Sequence, residues 1–244
     1  MSPLTSLLIH DHEGVRTLTL NRPDRRNALD IALIEGLLAA IEAADADPGT
    51  GVLVLCGAGQ AFCSGADMVE FRDAGTLAAS HNEHRNDLLA ALLLRFASLR
   101  KPVIAAVGGA ALGAGAALAL AADMVVMDAD ARLGYPETRH AMIPSLMAGS
   151  LLTRVGRTIA FELLVTGQPI DAARAHALGL ANRIVESGTA AAAAHGLAAD
   201  LARLDRYAVA GTKRILDACT DLPLEEALRE GRALGRWLKA ERPG

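Results

Sequence analysis

The sequence predicts an α/β protein built on a mostly parallel sheet. Three observations carry that prediction. Short apolar runs alternate with amphipathic helical stretches, two of those runs end in glycine-containing turns that lead into helices, and the last third is helical. With 244 residues the chain can bury a real core as one large domain or two small ones. It is 52% hydrophobic and 21% charged, but much of the apolar content is alanine and aromatics make up only 3%. A net charge of −4 gives no general attraction for nucleic acid or an anionic membrane surface, so neither is expected as a partner. Cys56, Cys63 and Cys219 are odd in number and lack a CxxC spacing, which fits a reducing, cytoplasmic location without a disulfide framework. The opening "MSPLTSLLIHDHEG" lacks the basic segment and long apolar core of a secretory signal.

Taken in order, "LLIHDHEGVRTLTLN" alternates as two strands turned at Glu13-Gly14. The stretch "ALDIALIEGLLAAIEAADADPG" puts Ile31, Ile34, Leu37, Leu38 and Ile41 on one helical face and stops before Pro48-Gly49. A fully apolar strand "GVLVLCG" follows, and later the helix "HNEHRNDLLAALLLRFASLRKP", closed by Pro102. Next come a strand "PVIAAVGG", a helix "LGAGAALALAAD" and a strand "MVVMD"; from about Ser145 the pattern is helical, interrupted by "ANRIV". The run Val103–Ala122 has the length of a membrane span. Its β-branched start, its break at Gly108-Gly109 and its Gly/Ala-rich remainder read instead as a buried strand, a tight turn and a closely packed helix.

Two stretches share one layout of strand, glycine turn and helix: "VLVLCGAGQAFCSGADMVEF" and "VIAAVGGAALGAGAALAL". A helix start offers unpaired N–H groups at the positive end of its dipole, and small residues let a ligand approach them. Two such elbows side by side would aim two backbone donors at one oxygen, an oxyanion hole that needs no polar side chain. Close strand-to-helix packing alone also explains either elbow. Neither "GAGQAF" nor "GAGAAL" completes GxGxxG, and "FCSGAD" lacks GxSxG, which disfavours a dinucleotide site and a Ser64 or Cys63 nucleophile.

The motifs "NRPDRRNALD" (Asn21–Asp30), "AFCSGADM" (Ala61–Met68), "KPVIAAVGGAALGAG" (Lys101–Gly115), "LGYPE" (Leu133–Glu137) and "TGQPIDAARAHALGLANRIV" (Thr166–Val185) occur in a telling order. In that order and spacing the chain resembles the crotonase, or enoyl-CoA hydratase/isomerase, superfamily over nearly its whole length. The resemblance implies a crotonase-like (ClpP/crotonase) spiral core of repeated ββα units over residues 1–188, carrying an acyl-CoA site. It implies a helical C-terminal trimerisation region over residues 189–244, packed on the core or a neighbouring subunit of a homotrimer or hexamer. The substrate it implies is an acyl-CoA thioester, with coenzyme A part of the substrate and no separate cofactor or metal.

The same resemblance assigns the oxyanion donors to the N–H groups of Ala66 and Ala114, the latter where many members have glycine. It places Arg25 and Arg26 beside the CoA, where a guanidinium suits a phosphate; a solvated basic loop is the other reading. Met68 and Val69 fall along the CoA, and Asp67 braces the elbow. Hydratases resembling this chain carry two glutamates, at positions matching Ala117 and Glu137. Here only Glu137 is acidic. Two carboxylates suit addition of water, whereas one suffices to carry a proton from C2 to C4, so the reading leans to 3,2-enoyl-CoA isomerisation. A 2-enoyl-CoA hydratase and a non-catalytic acyl-CoA-binding homologue are the alternatives. His81, His84 and His140 are candidates to replace the missing acid, although an exposed pair is the expectation for His81 and His84. The final helix ends early against that resemblance, so a role near the adenine is not carried over to Lys239.

Overall fold

A computed structural model describes residues 5–73 and 78–240. Strands β1 (Leu7–His12) and β2 (Val15–Leu20) form the expected antiparallel hairpin, turned at Glu13 and Gly14, both in left-handed backbone. Helix α1 (Ile31–Ala46) opens with the Asp30 carboxylate accepting from the Leu33 N–H and buries Leu33, Ile34, Leu37 and Ile41. Strands β3 (Val52–Gly57), β5 (Val103–Val107), β7 (Met124–Asp128) and β10 (Arg183–Val185) extend β2 into a parallel array. The six-stranded sheet has the order β1-β2-β3-β5-β7-β10. Its central strands are apolar on both faces because both are covered. Leu53, Leu55, Val103 and Ala105 face one cluster with α1; Val52, Val54, Ile104 and Ala106 face another with Ala190, Ala194 and Ala198 of α8 (Ala190–Ala202).

A second sheet departs from the sequence-based expectation of one strand per elbow. Strands β4 (Ala61–Cys63), β6 (Ala110–Leu112), β8 (Arg132–Gly134) and β9 (Ile170–Asp171) form a four-stranded sheet in that order. The first three are parallel, and β9 is antiparallel to β8. Each long strand thus turns into a short one before its helix: β3 to β4 to α2 (Met68–Asp73), and β5 to β6 to α4 (Ala114–Leu120). Three-residue strands are too short to show a period of two, so the pattern in the sequence could not announce them. This is the ββα repeat that the resemblance implied.

Helix α3 (Ala78–Ser98) packs on α1, and α5 (Ser145–Leu152), α6 (Arg157–Thr166) and α7 (Ala172–Ala177) follow the second sheet. Helices α9 (Arg206–Cys219) and α10 (Leu224–Ala240) pack together, and Lys213 Nζ ties α9 to the core through Asp123 Oδ2 at 2.9 Å. Among the described residues no helix is long and apolar enough to cross a membrane.

Candidate active site

The first elbow is held from outside by the loop before α1. Ser64 donates its N–H to the Arg26 carbonyl (2.9 Å), Leu29 to the Gly65 carbonyl (2.8 Å), and Asp67 to the Leu29 carbonyl (3.0 Å). Leu29 and Ala66 pair as a parallel bridge, so the bonds at residues 65 and 67 flank Ala66 and turn its own N–H to the opposite side. Among the described residues no acceptor meets that N–H. Arg22 reaches across the loop to Asp67 Oδ2 (2.8 Å) and Asp30 Oδ2 (3.0 Å), and also donates to the Ala28 carbonyl. Asp67 Oδ1 accepts from the Val69 N–H (2.9 Å) and so starts α2. Burial by itself would raise the Asp67 pKa; the Arg22 guanidinium and the backbone N–H groups outweigh it and hold the carboxyl below its usual range. Asn27, fully buried, donates to the Ala61 (2.7 Å) and Ala58 (2.9 Å) carbonyls and fixes the loop to β4.

The second elbow turns at Gly113, whose φ of +54° and ψ of −120° suit glycine. Ala114 then opens α4 in ordinary backbone, since positive φ falls on Gly113 and not on Ala114. Its N–H also finds no acceptor among the described residues. The elbows touch. A Cβ on Gly65 would lie 2.8 Å from the Leu112 carbonyl oxygen and 3.6 Å from the Ala114 nitrogen; one on Gly115 would lie 2.3 Å from the Cys63 carbonyl oxygen. The two free donors therefore sit on adjacent turns of chain.

Glu137 lies on the 3-10 helix Pro136–His140 that follows β8. Thr138 Oγ1 donates to the carbonyls of Leu164 and Val165 (both 3.1 Å) and Arg139 Nε to that of Thr166 (3.0 Å), clamping this turn to the end of α6. The turn delivers Glu137 to the second elbow: its Oε1 lies 2.7 Å from where a Cβ on Gly113 would sit. Its Oε2 is buried without a hydrogen-bond partner among the described residues. Burial raises the Glu137 pKa above the usual carboxylate range, against smaller lowering effects from its own N–H and from His140. Ala117, one turn into α4, is fully buried and offers only a methyl group. Two residues from Glu137, Tyr135 is fully buried, its hydroxyl has no hydrogen-bond partner among the described residues, and burial pushes its pKa up.

The remaining sequence candidates separate. Arg25 and Arg26 are exposed on the loop whose backbone meets Ser64; Met68 is 41% exposed and Val69 is partly covered. The Cys63 thiol is buried and pushed up to about 12 by desolvation, which makes it inert as a nucleophile. His84 and His140 are exposed. His81 departs from the expected exposed pair: its Nε2 is buried, 3.6 Å from Glu70 Oε1, because it continues the inward stripe of α3 while His84 lies off it. Sequence reasoning singled out Arg25 and Arg26 and passed over Arg22, Asn27 and Glu70. The first two stand in the quoted "NRPDRRNALD" motif, but nothing in its spacing marks which arginine finds buried partners.

A family model described as enoyl-CoA hydratase/isomerase matches residues 10–236. The 2,3-dehydroadipyl-CoA hydratase of Escherichia coli strain K12 is 36% identical, over 97% of this chain and 91% of that protein. Among solved structures, an enoyl-CoA hydratase from Mycobacterium smegmatis superposes with a TM-score of 0.90 at 31% identity, covering 97% of this chain and 91% of that one. An enoyl-CoA hydratase from Bacillus anthracis superposes at 0.89 with 28% identity, covering 97% and 92%.

Proposed function

The chain belongs to the enoyl-CoA hydratase/isomerase family, and from that premise we propose that it is an enzyme in which the Ala66 and Ala114 N–H groups hold a thioester oxygen while Glu137 moves protons. The observation that carries this reading is a half-buried carboxylate with a raised pKa, set against Gly113, beside two backbone donors that meet no acceptor among the described residues. Such donors stabilise the charge that develops when a proton leaves C2. A carboxylate with a raised pKa suits both taking and returning that proton.

The absence of a second carboxylate at Ala117 favours 3,2-enoyl-CoA isomerisation. Glu137 takes the C2 proton, the pair of the broken C2–H bond becomes the C1–C2 double bond, and the carbonyl pair moves to the thioester oxygen. The resulting dienolate collapses to the carbonyl as its C3–C4 pair takes the proton back from Glu137 at C4. The double bond moves from C3–C4 to C2–C3, and Glu137 ends in its starting state. Arg25, Arg26, Asp67, Met68 and Val69 complete the proposed CoA side, with Asp67 acting on the elbow. A homotrimer or hexamer remains the proposed assembly. The second reading, hydration of a 2-enoyl-CoA, is favoured by the names of the relatives, each a hydratase.

A paired assay of a 3-enoyl-CoA and a 2-enoyl-CoA, with Glu137→Gln alongside, tests both. Conversion of the 3-enoyl ester to the conjugated ester, lost in the variant, supports the glutamate shuttle. Hydration of the 2-enoyl ester establishes the second reading, and binding of both without turnover would reduce the protein to an acyl-CoA-binding homologue.

A further inference from the structure

Helix α3 turns one stripe inward. Phe96, Leu92 and Leu89 are buried on it, and Leu88 packs against the core. At helical spacing toward the N-terminus the same stripe carries Arg85, Asn82 and His81. The change from apolar to polar falls where α3 packs on α2, which begins just after the Ala66 donor. These polar groups are partly withdrawn from water, and His81 Nε2 faces Glu70 Oε1 at 3.6 Å, beyond hydrogen-bond distance. His81 Nε2 and Asn82 Oδ1 are buried without a hydrogen-bond partner among the described residues. Arg85 is partly buried, and its guanidinium makes no hydrogen bond or ion pair among them.

The carboxylates acting on Arg85 are Glu70 and Asp67. Both are committed elsewhere, Asp67 to Arg22 and the Val69 N–H, Glu70 to the Ile31 N–H (3.3 Å). A partly buried guanidinium without a partner costs free energy unless an anion meets it.

We propose that Arg85, with Asn82 and His81, forms an anion subsite that reads a carboxylate at the far end of the acyl chain, so that the preferred substrate is the CoA thioester of a dicarboxylic acid. The assignment rests on the reading of the elbows and Glu137 as an acyl-CoA site. A planar guanidinium matches a carboxylate through two parallel hydrogen bonds, and the Asn82 amide can add a donor only through its Nδ2, the end opposite the buried Oδ1. The strongly hydrated CoA phosphates are better served by exposed cations such as Arg25 and Arg26. Where the chain needed only an apolar pocket, the stripe would have continued as leucine.

The test is calorimetric binding of saturated acyl-CoA pairs of equal length, one ending in methyl and one in carboxylate, to the full-length protein and to Arg85→Leu, Arg85→Lys and Asn82→Leu. The intact protein is expected to bind the carboxylate ester about tenfold tighter, as one charge-assisted contact gives. Arg85→Leu removes that preference, Arg85→Lys keeps part of it, and Asn82→Leu reduces it. Equal binding of both esters by the intact protein overturns the proposal. So does an equal loss for both esters in Arg85→Leu, which would put the cation on a CoA phosphate. If Arg85→Leu fails to fold, the lysine and Asn82 variants decide the matter by the same ratio. Because saturated esters undergo no reaction, selective binding without turnover would sink the proposed activity and spare the subsite, and turnover without selectivity the reverse.

Discussion

At the second elbow every residue from Ala114 to Leu120 is buried, and glycines press directly on neighbouring backbone. At the first, the donor residue is flanked by an ionic set, Arg22 with Asp30 and Asp67, and by Met68 at 41% exposure. Both present one N–H that meets no acceptor among the described residues. One is fixed by volume and the other by charge, so they should fail under different insults. The charge-fixed side adjoins the polar stripe of α3 through Glu70 of α2, which makes it the side suited to telling substrates apart.

The largest expected effect belongs to the group the elbows serve. Glu137→Gln should lower turnover about a thousandfold with binding retained, measured as kcat against the Kd of a saturated ester. Loss of binding as well would show that the carboxylate holds the pocket shape rather than moving a proton. Next, Arg22→Leu strands the Asp67 carboxylate, which is 5% exposed, and should cost about 3 kcal/mol in denaturant unfolding. High salt should mimic only a small part of that loss.

Gly115→Ala probes the volume-fixed side. Its new Cβ would lie 2.3 Å from the Cys63 carbonyl oxygen, and an overpacking cost of about 1–3 kcal/mol should appear in unfolding, insensitive to salt. Equal salt dependence for the Arg22 and Gly115 variants would break the contrast between the elbows.

The two carboxylates also part by pH. Glu137 has a raised pKa and must be ionised to act as a base, so kcat/KM should rise with pH through a limb above the ordinary range of about 4.3. Its effect on folding has the opposite sign, since a raised carboxyl pKa favours the native state at low pH. That contribution fades as pH rises through the folded pKa. Asp67, with a lowered pKa, contributes stability that is present above about 3.9 and lost as pH falls through its folded value. Acid unfolding below about pH 4 should therefore weaken in Asp67→Asn relative to the intact protein. The smallest effect is at Ser64, whose Oγ makes one long contact of 3.4 Å: Ser64→Ala should change stability by less than ~0.5 kcal/mol and leave turnover near its starting value.

Much of this arrangement was legible in the residues. The β1–β2 hairpin, α1, β3, β5, α4 and β7 stand where alternation, helical spacing and glycine breaks put them. The second sheet was not legible, because β4, β6 and β8 have three residues each and share their apolar runs with longer strands. The elbow motifs were read correctly as strand-to-helix turns. His81 was misjudged because a histidine's exposure depends on which side of α3 faces α2, a matter of packing rather than spacing.

What the sequence determined by itself was the set of local preferences: glycines at the two turns, an alanine where a second acid would stand, and a lone Glu137 after Pro136. Short-range sterics and hydrogen-bond chemistry are encoded within a few neighbouring residues, so they can be read along the chain. The tertiary structure decided which of those residues meet. It set Glu137 against Gly113, 24 positions away, and Arg22 on Asp67, 45 positions away, and it turned Arg85 inward. Such pairings depend on how two sheets and their helices share one core, and no local pattern carries that information.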